Sequence, residues 1–251
     1  MKTYKYISSL TGVVIIVWLI TSQLTLAQST NQVDLLWEAD TYRPPFYRGH
    51  SQASPESEVK VVADAHFYNS RGVAIADSQL DFQWEKDARR ISSFSGPGGR
   101  ELVFTADVAG LAHEIKVTIT SPDGTSLTRK ILIPVDEPQI RLYEDNPLIG
   151  TIYGRAIAEP LVLNQSEITL IAEPYFFSAD QIKAKRLQFA WFLNNKATTL
   201  DQARPNRIIL LTPENNAGEN KLQLNISSLD KILQEASASL TIKFNQANFN
   251  F

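Results

Sequence analysis

Glu58-Val59-Lys60-Val61-Val62-Ala63, followed by His66-Phe67-Tyr68, decides the fold because the chain writes it twice. It returns as Glu167-Ile168-Thr169-Leu170-Ile171-Ala172, followed by Tyr175-Phe176-Phe177. Phe82-Gln83-Trp84 likewise returns as Phe189-Ala190-Trp191, and both tryptophans lead into a short polar, charged or Asn-rich stretch. A repeat of roughly 107 residues is a whole domain, too long for a solenoid unit. The spacing predicts two related β domains, at 32–136 and 139–244.

The period inside the repeat is two. Val59, Val61, Ala63, Ala65 and Phe67 alternate with Lys60, Asp64 and His66, with Val62 breaking the polar face. That pattern belongs to a strand with one buried face. Ile115, Val117 and Ile119 repeat it, and Ser121-Pro122-Asp123-Gly124 then predicts a tight hairpin turn into a return strand, Leu127 to Val135. In the second half Leu222, Leu224 and Ile226 alternate, and the closing strand carries Leu240, Ile242 and Phe244. Between them, Leu229, Ile232 and Leu233 stand at helical spacing behind Ser228, which predicts a short helix over 227–235. Strands at short intervals, punctuated by Gly, Pro and Asn, predict antiparallel β-sandwiches of about seven strands each. Phe82 with Trp84, and Phe189 with Trp191, each share a strand face and are expected to be core residues.

The N-terminus sets the compartment. Lys2 and Lys5 precede the apolar run Val13 to Ile20, and Thr25-Leu26-Ala27 offers a small residue before Gln28 where a signal peptidase would cut. Residues 1–27 are read as a signal peptide, with an uncleaved N-terminal membrane anchor as the alternative. Both readings place the rest outside the cytoplasm, in the periplasm, at the cell surface or secreted. The chain has 0 Cys, so no disulfide, lipoprotein attachment site or thiol chemistry is available. With 43% hydrophobic and 10% aromatic residues, it lies well above the disordered regime. A formal net charge of -3 with no Lys/Arg stripe excludes nucleic acid as a partner class.

The tandem of cysteine-free domains, each with a Phe-x-Trp strand, a penultimate strand such as Glu114-Ile115-Lys116-Val117-Thr118-Ile119 and a closing strand, resembles bacterial immunoglobulin-like and PKD-like extracellular modules. Leu35-Leu36-Trp37-Glu38-Ala39-Asp40-Thr41-Tyr42-Arg43-Pro44-Pro45-Phe46-Tyr47 also resembles the opening of exported proteins from bacterial candidate phyla. The resemblance implies a spacer, adhesion or assembly module without catalysis. Where the PKD pattern continues after its Trp with an Asp-Phe-Gly-Asp-Gly type turn, this chain has Glu85-Lys86-Asp87 and Phe192-Leu193-Asn194.

Chemistry-bearing motifs are sparse. His50, His66 and His113 lack the spacings that place ligands around one metal. No Gly-x-Ser-x-Gly elbow or Cys nucleophile occurs. Ser95-Gly96-Pro97-Gly98-Gly99-Arg100 lacks the Lys-Ser/Thr of a phosphate loop and reads as a flexible turn before a strand at Glu101 to Thr105. Asp180 with Glu173 is a conceivable carboxylate pair that nothing distinguishes from surface acids. Asn164-Gln165-Ser166 and Asn225-Ile226-Ser227 match the glycosylation sequon. Asp136-Glu137-Pro138 and Glu144-Asp145-Asn146-Pro147 place oxygen ligands on both sides of a Pro-stiffened junction, where calcium is the cation to test. Trp37 and Tyr143, taken as a repeat pair near the start of each domain, are the aromatic candidates for a glycan platform. No catalytic, cofactor or metal residue is assigned. The expected role is a non-enzymatic envelope or surface protein, with a periplasmic assembly chaperone and a carbohydrate-binding accessory protein as alternatives. Its expected partners are envelope or surface proteins, then glycans, with the membrane touched only through an uncut N-terminal segment. The tail 245–251 reads as a fraying end or an added edge strand.

Overall fold

The computed structural model describes residues 30–199, 201–212 and 218–244. The N-terminal segment 1–27 and the tail 245–251 lie outside the described residues, as do the expectations placed on them.

The first half contains β1 (Gln32–Ala39), β2 (Glu58–Tyr68), β3 (Ala74–Ile75), β4 (Asp81–Lys86), β5 (Arg89–Arg90), β6 (Gly96–Pro97), β7 (Glu101–Thr105), β8 (Ala112–Thr120) and β9 (Ser126–Pro134). One sheet runs β1-β2-β3 with β7 also on β2, and the other runs β5-β4-β8-β9 with β6 on β4. The second half contains β10 (Gln139–Asn146), β11 (Gly150–Thr151), β12 (Leu161–Leu163), β13 (Glu167–Tyr175), β14 (Leu187–Leu193), β15 (Lys196–Ala197), β16 (Arg207–Leu211), β17 (Gly218–Ser228) and β18 (Glu235–Phe244). Its sheets run β11-β10-β13-β16 and β12-β18-β17-β14-β15. The long strands pair antiparallel throughout, while β12 joins β18 in parallel and Ala53 bridges Val135 in the same sense. In both halves the chain leaves its first strand, crosses between sheets and touches the last strand of the second sheet. Each half is an immunoglobulin-like sandwich.

The alternation read from sequence is the packing. Val59, Val61, Ala63 and Phe67 of β2 are buried with Phe82, Trp84, Ile115, Val117 and Ile119. Ile168, Leu170 and Ala172 of β13 are buried with Trp191, Leu222, Leu224 and Ile226. Each tryptophan is fixed by one hydrogen bond, since Trp84 Nε1 donates to the Gly99 carbonyl at 2.7 Å and Trp191 Nε1 to the Pro205 carbonyl at 2.9 Å. A buried indole N–H needs such a partner. Two residues after each acceptor the next strand begins. The glycine-rich stretch is therefore not the flexible turn its composition suggests. Ser95 Oγ accepts the Trp84 N–H, and a Cβ on Gly99 would lie 2.6 Å from the Phe94 carbonyl oxygen, so this loop is the lid over Trp84.

The polar stretch after each tryptophan is a tight hairpin. Asp87 and Ala88 have φ of 51° and 61°, and Asn194 and Asn195 have 50° and 62°, the left-handed pair a two-residue turn demands. Asp87 Oδ1 then accepts the Glu114 N–H and Asn194 Oδ1 the Lys221 N–H, both at 2.9 Å. At Ser121 to Thr125 the turn is longer than expected and only Gly124 (φ 86°) is left-handed.

Two expectations fail on local grounds. No helix forms over 227–235: Ser228 Oγ does accept the N–H groups of Asp230 and Lys231, but β17 and β18 draw the chain into a turn. The helix of this half is instead α1 (Ala179–Lys183), directly after the junction. The pairing of Trp37 with Tyr143 is also out of register. Trp37 lies opposite Val61, and the residue opposite its counterpart Leu170 is Glu144. Tyr143 corresponds to Leu36, on the other face of the sheet.

Candidate functional site

The junction between the sandwiches is the densest concentration of unusual side chains. Only 135–138 separate β9 from β10, yet the joint is made by a strap, residues 40–57, that leaves β1 and laps over the second sandwich. Tyr42 N–H donates to the Phe177 carbonyl at 2.6 Å, and Phe176 N–H donates to the Tyr42 carbonyl at 2.8 Å. Thr41 bridges Ser178 in antiparallel register. Phe176 holds φ 64°, a conformation unusual for an aromatic residue, which redirects the chain after it so that the Phe177 carbonyl also faces Tyr42.

Aromatic rings continue the contact. Phe46 stacks on Tyr153 with centroids 4.0 Å apart and meets Tyr143 edge-on at 5.6 Å. Tyr47 meets Tyr175 and Phe176 edge-on at 5.5 and 5.8 Å. Edge-to-face pairs of this kind add about 0.5–1.5 kcal/mol each beyond area burial. Tyr143 and Tyr175 share a hydroxyl hydrogen bond of 2.7 Å. Beside them a groove of about 500 Å³ is lined by Tyr47, Gln52, Asp136, Arg141 and Ala156.

Glu173, only 8% exposed, lies under the strap. Its carboxylate accepts from Tyr42 Oη at 3.1 Å and from Tyr153 Oη at 3.2 Å. Burial pushes its pKa above the usual range, against the opposing pull of the two hydroxyls. Burial and the adjacent carboxylate push the Tyr42 hydroxyl up in turn. On the other side of the joint Gln234 is fully buried. Its Nε2 donates to the Pro55 carbonyl and to Ser178 Oγ, both at 2.7 Å, and its Oε1 accepts the Ser178 N–H at 2.9 Å. Glu56 Oε2 accepts the Leu233 N–H at 2.7 Å. Polar groups buried between two domains hold one geometry only, because any shift leaves them unpaired.

The junction carboxylates do not converge on one point. β10 runs away from the joint, so Glu144 and Asp145 stand several residues along it from Asp136, and Asp145 is spent on Arg207 (3.1 Å) and Thr151. The contacts across the joint come from the strap instead. Of the two candidate rings for a glycan platform, Trp37 is half-buried against the first core, and Tyr143, 5% exposed, is covered by Phe46. Glu173 and Asp180 are not a working pair either, since Asp180 is engaged by Lys231 and Gln181. In the sequons, Asn164 and Asn225 are both exposed.

His50 and His66 are exposed, and His113 is buried at the end of the first sandwich. Among the described residues, Asp87, Asp107 and His113 form the one trio of potential metal ligands. Both ring nitrogens of His113 are spent: Nε2 accepts the Asp107 N–H at 3.2 Å, which leaves Nδ1 to donate to Asp87 at 2.8 Å. Lys86 Nζ lies 3.0 Å from Asp107 and 3.3 Å from Asp87, occupying the position a cation would take. Burial opposes ionisation of Asp87, but hydrogen bonds from His113, the Glu114 N–H and Lys86 outweigh it and lower its pKa. This trio fastens a hairpin.

No protein-family model matches the sequence, and no curated protein matches it. Similar solved structures include the three N-terminal domains of the Highly Immunogenic Outer Capsid protein of bacteriophage RB49, at 16% identity, 86% of this chain, 59% of that chain and a TM-score of 0.43. Murine CEACAM1b is similar at 11% identity, 84% and 99% coverage and a TM-score of 0.28. The SGBP-B of the Bacteroides ovatus mixed-linkage glucan utilization locus, solved with a mixed-linkage heptasaccharide, is similar at 12% identity, 86% and 48% coverage and a TM-score of 0.25. The chain thus spans about three-fifths of the solved phage protein. Likeness at this level concerns the sandwich fold and assigns no ligand.

Among the described residues no helix is long and apolar enough to cross a membrane. Sequence reasoning missed the strap, although Pro44-Pro45-Phe46-Tyr47 between two strands carried a signal: a long connection with adjacent aromatics needs something to cover.

Proposed function

We propose that this chain is a non-catalytic, exported surface or envelope protein whose two sandwiches act as one rigid binding or spacer module. The observation that supports it is the joint itself. A short linker alone would let two domains swing. Here backbone pairing at Tyr42, a fully buried Gln234 and a cluster of aromatic rings hold the second sandwich to the first. A stiff two-domain body suits the presentation of a surface at a set distance and orientation. The strap also pairs with the second sandwich through backbone and aromatic rings, which supports the spacer reading over a chaperone layout. The chemistry-bearing groups of the joint are hydrogen-bonded to one another, which supports a structural role for them. Cell fractionation with an antibody to the second sandwich tests the proposal. Recovery outside the cytoplasm, soluble or tethered, and cross-linking to envelope proteins are expected; a cytoplasmic protein would overturn it.

A further inference from the structure

β16 ends its sheet, so one side of Arg207–Leu211 has no neighbouring strand among the described residues. The register fixes which groups face that side. Ala172 N–H bonds the Asn206 carbonyl and Thr212 N–H bonds the Ser166 carbonyl, so Ile208 and Leu210 bond β13 while Arg207, Ile209 and Leu211 turn outward. The Arg207 N–H is used by the Arg204 carbonyl, which leaves the Ile209 and Leu211 N–H groups and the three carbonyls at the edge. Their side chains are exposed as well, Ile209 at 53% and Leu211 at 66%.

The repeat supplies the contrast. β7 occupies the same place in the first sandwich, but it presents Glu101, ion-paired to Lys60 at 2.9 Å, with Val103 and Thr105. Charge on an edge strand is the usual protection against pairing. β16 has less of it, because its one charge, Arg207, is held across the sheet against Asp145 and is less exposed than Glu101.

We propose that the free edge of β16 is an interaction surface that pairs antiparallel with β16 of a second copy of this chain. The strand complements itself. Centred on Ile209, the pairing exchanges both backbone bonds between the two Ile209 residues and lets each Leu211 N–H meet the Arg207 carbonyl of the other copy. Ile209 packs beside Ile209, and Leu211 lies beside the aliphatic stem of Arg207. The two Arg207 positions lie four residues apart along the pairing, about 14 Å at ~3.4 Å per residue, farther than the ~8 Å screening length at physiological salt. The contact is two-fold and closes on itself, giving a dimer and not a filament.

Sedimentation of the full chain across a concentration series into the hundreds of micromolar tests this. A reversible dimer at twice the monomer mass is expected, and Ile209→Lys should shift it to monomer. Ile209→Pro gives a second reading: it removes an edge N–H that the folded sandwich does not use, so it should abolish the dimer with the sandwich intact by circular dichroism. Val103→Lys on β7 should leave the dimer unchanged. A wild-type chain that stays monomeric throughout, including one that captures only other strands, overturns the proposal, as does a dimer indifferent to both Ile209 variants. Neither result bears on the rigid joint, since the substituted Ile209 lies opposite Thr169, six residues along β13 from Tyr175 at the joint.

Discussion

Gln234 Nε2 donates to the carbonyl of Pro55 over 2.7 Å, across 179 positions of sequence and from one sandwich to the other. With Ser54 and Ser178 it forms a buried polar latch, its Nε2 reaching Ser54 Oγ and Pro55 on one side of the joint and Ser178 Oγ on the other. Gln234→Ala would leave the Ser178 N–H and the Pro55 carbonyl buried and unpaired, at a cost of about 2–4 kcal/mol. Thermal unfolding followed by calorimetry should then separate into two transitions, one per sandwich, where the wild type shows one. A single, unshifted transition would mean the latch carries no load.

Glu173 makes the joint sensitive to pH. Its pKa is raised in the folded protein from the ordinary 4.5, mainly by burial, so the native state holds its proton after the unfolded chain has released it. Its contribution to stability is therefore fully present below pH 4.5 and declines as pH rises through the folded-state value. Glu173→Gln keeps a carbonyl and an amide for the Tyr42 and Tyr153 hydroxyls without the buried charge. Denaturant titrations should show Glu173→Gln equal to or more stable than wild type at pH 7, by about 1 kcal/mol, with a flatter profile on the acid side. A steeper profile would place the charge penalty elsewhere.

The two hairpin turns differ in how well their residues suit left-handed backbone. Asn194 and Asn195 tolerate it, whereas Ala88 at φ 61° does not. Ala88→Gly should raise stability by about 1 kcal/mol, and Asn195→Gly should change it by only a few tenths. Equal effects on chemical denaturation would contradict the turn assignment.

Trp84 and Trp191 should behave as equivalents. Replacing either by Phe removes one indole hydrogen bond and leaves the Gly99 or Pro205 carbonyl without its partner, a loss of about 1–3 kcal/mol. Replacement by Ala costs about 3–5 kcal/mol and should unfold that sandwich. Tryptophan fluorescence of the single variants checks this. Retention of both native spectra on Ala replacement would show that the rings are not core.

What was legible from sequence was what depends on period. Val59 to Phe67 alternate because one face of the strand is buried, and Phe-x-Trp reads as core for the same reason, whereas β13, its repeat, is buried on both faces from Ile168 to Leu170 and again from Ala172 because the strap covers its outer side. What was not legible depends on contacts between distant residues. A single position of register moves Tyr143 from the core face to the outer face, and residue identity did not carry that shift. The left-handed turns at Asp87-Ala88 and Asn194-Asn195 lacked glycine, the usual marker. The acidic residues of 136–147 suggested a cation because they are near in sequence, but an extended β10 carries them apart. Gln234 gave no signal at all, since a buried glutamine is recognised only by the partners that enclose it.

The central claim, that the two sandwiches move as one body, is tested most directly by a pulsed electron-spin distance measurement. The chain has 0 Cys, so Thr128→Cys on β9 and Ser239→Cys on β18, both exposed, can be spin-labelled without background. A rigid joint gives one narrow distance distribution, unchanged by calcium or chelator and broadened by Gln234→Ala. A broad or multi-peaked distribution in the wild-type chain, or one that narrows only when calcium is added, would contradict it.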